Sequence, residues 1–148
     1  MKYKLKFSEY DKETKISMVG ISTDLGYFIG TSKLHEEDYD IESAFQGCMY
    51  AEIRAVIKYT KAKIKNLKEE IYTLENLFNN LKQLRCYDEN DKSMRFINKT
   101  IERKKKQLDI LQQQLEMINI GLDKQMENYR KEHEDFMKKI KKDTEPTE

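Results

Sequence analysis

Proline is almost absent from this sequence. The single one, Pro146, stands in a closing stretch without apolar residues, so no ring upstream of it forces a helix to stop. Glycine is nearly as scarce, and four of the five (Gly20, Gly26, Gly30 and Gly47) fall before residue 48, which puts the special backbone demands in the N-terminal third. The only two cysteines, Cys48 and Cys86, lie near opposite ends of one predicted helix. That separation is far beyond the roughly 7 Å between Cα atoms that a disulfide spans, so both are expected reduced. No apolar run approaches the roughly 18 residues of a spanning helix, and the charged N-terminus does not read as a secretory leader; a cytoplasmic protein is expected. Charge of one sign is also lacking. Lys plus Arg number 28 against 27 Asp plus Glu, a net charge of +1, which supplies no global field for a nucleic acid polymer or an anionic membrane. There is no Gly-rich phosphate loop and no CxxC pair, and neither His35 nor His133 pairs with a nucleophile in a recognisable way. No catalytic residue, no metal site and no cofactor is predicted, and the chain reads as a non-enzyme.

What is abundant is charge and helical periodicity. Charged residues make up 37% of the chain and the mean hydropathy is −0.89, which suits a long solvated helical pair better than a globule with a large core. Between Tyr50 and Leu81, apolar residues including Ile53, Ile57, Ile64, Leu67, Ile71, Leu74 and Phe78 recur at steps of three, four or seven. Between Ile97 and Ile140, residues such as Ile101, Leu108, Leu111, Leu115, Ile118, Leu122, Tyr129 and Phe136 do the same. A short polar break, 86–91, separates the stretches and predicts an antiparallel hairpin. Folded about Glu89, the seams run in register: Leu81 meets Ile97, Ile71 meets Leu108, Ile64 meets Leu115 and Ile57 meets Leu122. At about 1.5 Å per residue, helices of about 45 residues make a rod on the order of 65 Å long. A second apolar set lies off the seam (Val56, Tyr59, Tyr72, Leu77, Leu84, Ile110, Met117, Ile120 and Met126), and such a stripe asks for a partner surface, here a homo-oligomer, dimer or higher.

Ahead of the rod, residues 2–7 alternate strictly, setting Tyr3, Leu5 and Phe7 on one face and lysines on the other. Residues 15–22 predict a second strand with Ile16, Met18 and Gly20 inward, and 27–32 a third. The expected fold is therefore α+β, with a three-stranded antiparallel β-meander (1–34) packed on a long antiparallel two-helix coiled coil (35–142), followed by a disordered tail (143–148). The sheet is placed on Ile41, Phe45, Met49 and Tyr50 of the first helix and on Tyr129 and Phe136 of the second. Asp38 or Asp40 is expected to cap the first helix and Asn90 or Asp91 the second.

Candidate binding residues form two sets. The cluster His35, Glu36, Glu37, Asp38, Tyr39 and Asp40 collects oxygen donors but reads as a solvated capping loop, since a hard metal needs several oxygens around one point. The basic run 103–106 falls opposite Glu69, Glu70 and Glu75 in the predicted register, which favours cross-helix ion pairs over a nucleic-acid stripe. Arg54 differs: it lies at the crowded sheet end with Tyr27, Phe28, Tyr39 and Tyr50 around it. A guanidinium for phosphate and rings for stacking suit a nucleotide, while an internally paired core arginine accounts for the same residue equally well. At the hairpin tip Arg85, Arg95, Phe96 and Asn98 make a looser set, or plain surface.

The stretch Gly30-Thr31-Ser32-Lys33-Leu34-His35-Glu36-Glu37-Asp38-Tyr39-Asp40, followed by Gly47-Cys48-Met49-Tyr50-Ala51-Glu52-Ile53-Arg54-Ala55, resembles the first type of Thoeris anti-defence protein. The shared pattern is a Lys after a strand, an acidic Asp-aromatic-Asp turn, and Gly-x-x-x-Ala-x-x-Arg-Ala opening a helix. Members of that family are phage sponges that bind cyclic ADP-ribose isomers such as glycocyclic ADP-ribose, and in some cases cyclic oligonucleotides, without cleaving them. The resemblance implies a phage immune-evasion protein of the host bacterial cytoplasm that suppresses Thoeris-type immunity, with Arg54 as a phosphate contact. The alternative class is a coiled-coil adaptor, inhibitor or phage structural protein with no small-molecule ligand.

Overall fold

The computed structural model describes residues 2–34, 43–84 and 91–144. It has the expected α+β layout. Three antiparallel strands, β1 (Lys4–Asp11), β2 (Ile16–Thr23) and β3 (Gly26–Lys33), form a sheet in the order β1-β2-β3, and two long helices follow, α1 (Ala44–Lys82) and α2 (Lys92–Thr144). The chain divides into two compact units, one of Met1–Lys58 with Met117–Glu148 and one of Tyr59–Glu116. Tyr39 and Arg85, the acidic loop from His35, Cys86 and the last residues, 145–148, lie outside the described residues.

Local chemistry closes both hairpins. Between β1 and β2 the Asp11 carboxylate accepts bonds from the Glu13 N–H (3.0 Å) and the Thr14 hydroxyl (2.9 Å), while Lys15 takes the left-handed backbone (φ 59°) and donates its N–H to the Asp11 carbonyl at 2.9 Å. Those two bonds hold the Asp11 carboxyl below its ordinary range. Between β2 and β3, Gly26 (φ 111°) closes the turn at a backbone angle that side chains disfavour.

The register overturns two expectations about faces. Leu5 pairs with Ile21 but Phe7 pairs with Gly20, so Lys6 is an extra, unpaired residue. This bulge breaks the alternation and carries Phe7 to the side opposite Leu5. On β2 Ser17, Val19 and Ile21 are buried towards the helix, whereas Met18 is exposed and Ile16 only half-buried; Gly20 is buried as well, but under the Phe7 ring on the opposite face. The phase is set by packing. A Cβ at Gly30, the β3 partner of Val19, would collide with the Ala51 carbonyl of α1, and one at Gly47 would collide with the Ser17 hydroxyl. Gly47, Ala51 and Ala55 are spaced by four along one helix stripe, and this absence of bulk lets α1 lie directly on the inner face of the sheet. Ala51 and Ala55 are fully buried there.

The helix starts are capped as their side chains allow. Ser43 caps α1, its hydroxyl accepting the Gln46 N–H at 3.2 Å, while Asp38 and Asp40, the caps expected from sequence, lie outside the described residues. Asp91 caps α2 as expected, accepting the Ser93 N–H at 2.8 Å. Phe45 and Phe136, expected to support the sheet, are both exposed. In the second unit, burial falls on the predicted seam residues Ile64, Leu67, Ile71 and Ile101. The helices run antiparallel there, joined by Lys104 to Glu70 at 2.6 Å and Lys105 to Glu75 at 2.8 Å, the cross-helix pairs anticipated for the basic run. Tyr59, assigned from sequence to the exposed stripe, is instead buried within the chain, and Lys63 lies 5.0 Å from its ring centre.

Candidate functional site

Among the described residues, the nucleotide set expected around Arg54 is not all on one side of the sheet. Tyr27 pairs with Ser22, in the row that continues to Lys4, and so lies on the outer sheet face, away from α1. Phe28, paired with Ile21, does lie on the helix side. The Arg54 guanidinium donates from Nη1 to the Thr31 carbonyl at 3.0 Å, and Lys58, one turn on, donates to the Ile29 carbonyl at 2.8 Å. Those carbonyls are two residues apart on β3, a strand with one unpaired edge. Capping of that edge by two cations blocks addition of another strand. On the other side, the Tyr3 hydroxyl donates to Glu52 at 2.8 Å; partial burial, with the carboxylate nearby, pushes its pKa up from 10.0 to about 12. In the second unit Arg95, Phe96 and Asn98 are exposed on the first turns of α2, where buried Met94 is the anchoring residue.

A cleft does form in the first unit, a short way along the sheet. It has a volume of about 60 Å³ and is walled by the start of α1 (Ser43, Gln46, Gly47, Tyr50), the inner end of the sheet (Tyr10, Ser17, Ser32) and α2 (Met126, Tyr129, Arg130). Lys15, Lys33 and Leu34 complete its rim. Of the expected site residues that are described, only Tyr50 lies here. Its hydroxyl is buried without a hydrogen-bond partner among the described residues. Burial raises the Tyr50 pKa and the neighbouring Tyr129 adds to this, while Arg130 pulls it down, so the phenol stays protonated at neutral pH and is available as a donor.

Three features give this cleft its chemistry. Tyrosines at 10, 50 and 129 offer ring faces and hydroxyls, Ser17, Ser32 and Ser43 offer more hydroxyls, and among the described lining residues there is no carboxylate against the cations Lys15 and Arg130, with Lys33 only at the rim in an outward-facing row. Such a wall accepts a phosphate or a polar ring. A water needs about 10–15 Å³ of such space, so about 60 Å³ admits a phosphate or a sugar, while whole drug-sized ligands occupy roughly 300–1,000 Å³. Sequence reasoning placed Tyr50 and Tyr129 together under the sheet but missed Tyr10 and Arg130 as their neighbours, because these come from a strand end and from α2, separated by more than a hundred residues. A capping box, Ser43-x-x-Gln46, was the one local signal that α1 begins at this place.

Among the described residues no group of His, Cys, Asp or Glu could hold a metal ion, and no helix is long and apolar enough to cross a membrane. No family model matches the chain, and neither a curated protein nor a solved structure matches it.

Proposed function

We propose that the chain is a non-catalytic binding protein that sequesters a small phosphate-bearing nucleotide signal. The observation that carries this reading is the tyrosine-walled, cationic cleft, in which Tyr50, Tyr129 and Arg130 sit around space for one phosphate or sugar. The ligand class comes from the resemblance of 30–40 and 47–55 to Thoeris anti-defence proteins, which makes cyclic ADP-ribose isomers the first ligands to test and cyclic oligonucleotides the second. Under this reading the protein acts in the host bacterial cytoplasm, suppressing immunity by capture of the signal. The small cleft holds one end of the ligand, and the remainder is covered by a further copy in a homo-oligomer.

A second reading, a pure interaction protein, is favoured by the exposed Leu77, Ile110, Met117 and Ile120 on the helices.

Calorimetric titration with cyclic ADP-ribose isomers, cyclic oligonucleotides and inorganic phosphate separates the two. Loss of a charge-assisted phosphate contact costs about 2 to 5 kcal/mol, so Arg130→Ala is expected to weaken binding by about 30-fold or more. Arg54→Ala, which uncaps the β3 edge, is expected to lower the melting temperature with little change in affinity. Absence of binding by any of these ligands overturns the sponge reading in favour of the interaction protein.

A further inference from the structure

We propose that the outer face of the sheet is a two-fold interface, sheet against sheet, between two copies of this chain. Directly paired residues share a face, so the register gives the outer surface as four rows: Lys4–Ser22–Tyr27, Phe7–Gly20–Ile29, Glu9–Met18–Thr31 and Asp11–Ile16–Lys33. At its centre the Phe7 ring lies over Gly20, where a Cβ would collide with it, and this makes a flat apolar floor. The large side chains around that floor are in water: Tyr27 is 76% exposed, Ile29 44%, Met18 40% and Phe7 39%. The bulge at Lys6 is what brings Phe7 to this side, which costs the inner face an aromatic and would be wasteful on a face meant for solvent.

The occupant follows from the order of the side chains. A two-fold axis running along β2 lays β1 of one copy over β3 of the other, because β1 and β3 flank β2 on opposite sides. Row by row this sets Lys4 on the ring of Tyr27, Phe7 on Ile29, the Glu9 carboxylate on the Thr31 hydroxyl, and Asp11 on Lys33. All four meetings are favourable: cation with ring, ring with aliphatic, carboxylate with hydroxyl, and carboxylate with ammonium. Met18, on β2, faces its own copy. Such self-complementarity is what an isologous interface requires, and aligned sheets pack about 10 Å apart with interleaved side chains. A strand added edge to edge is excluded on the β3 side, where Arg54 and Lys58 occupy the carbonyls, so the face is the route left to the sheet there.

Sedimentation velocity on the full chain tests this, with circular dichroism melting to confirm that each variant stays folded. The parent is expected to be dimeric at micromolar concentration. Met18→Glu opposes two carboxylates at the axis and is expected to weaken the dimer at least a hundredfold. Thr31→Glu opposes Glu9 of the second copy and is expected to weaken it about tenfold, and adding Glu9→Lys to the same chain is expected to restore it. A monomeric parent overturns the proposal, as does a dimer indifferent to Met18→Glu. A dimer that Thr31→Glu weakens but Glu9→Lys does not restore overturns the alignment along β2. None of these readouts involves a ligand, so failure here leaves the sponge reading standing, and failure of that reading leaves the dimer.

Discussion

The two units of this protein are stabilised in opposite ways. In Tyr59–Glu116 the packing is large against large: Ile64, Leu67, Ile71 and Ile101 fill a seam, and each is one of many equivalent knobs. In the sheet unit the decisive residues are the smallest ones. Gly30, Gly47, Ala51 and Ala55 remove bulk so that a strand and a helix backbone approach each other. A seam tolerates substitution because neighbours share the loss, whereas a backbone approach has nothing to give.

The sharpest way to test this contrast is Gly30→Ala. A methyl there meets the Ala51 carbonyl and the Ala55 amide, both main-chain groups that cannot rotate away, so a loss of about 3 kcal/mol is expected, read as a fall in denaturant midpoint. The opposite sign is expected at Gly121 in α2, where nothing lies within 4 Å of the added methyl; Gly121→Ala should gain about 0.5–1 kcal/mol from helix propensity alone. If the two changes have equal effects, close approach is not what holds the sheet on α1.

In the helical unit Ile71→Ala should cost about 2 kcal/mol, the low end for a buried isoleucine, because a two-helix seam collapses easily around the lost side chain. A loss as large as that for Gly30→Ala would erase the distinction between the units.

A pH titration sharpens the sheet side. The folded Tyr3 pKa lies near 12 against an ordinary 10.0, so its contribution is fully present below pH 10 and is lost as pH rises from 10 towards 12. Tyr3→Phe should remove that part of the alkaline destabilisation, measured by melting across this range.

The smallest effect is expected at the surface pairs. Lys105→Ala breaks a 2.8 Å bridge between two half-exposed side chains and should cost less than about 0.5 kcal/mol, vanishing at high salt.

The helical pair was legible because its signal is redundant. Heptad spacing is repeated many times along two stretches, and the register it implies was enough to anticipate Lys104 and Lys105 facing Glu70 and Glu75. The strands were also legible, but not their faces. A single bulge at Lys6 moves Phe7 across the sheet, and Met18 was assigned inward on hydrophobicity when Gly30 and Gly47 had already fixed the phase of β2 from the other side. The Gly-x-x-x-Ala-x-x-Arg-Ala stretch was read for the charge of Arg54, yet in the structure its small residues make the packing and its arginine caps the β3 edge.

The sequence by itself determined the number and kind of elements, the antiparallel order of the sheet and the direction of the helices, since these depend on periodicities of two and three-and-a-half residues that the chain carries locally. Which face of the sheet meets α1, and which strand-end tyrosine and which arginine join Tyr50 and Tyr129 in a cleft, only the tertiary structure decided. Tyr50 and Tyr129 face each other in the hairpin register, but Tyr10 and Arg130 share no spacing with them; they join because small side chains let α1 sit close to the sheet and because α2 returns along the chain to the same place.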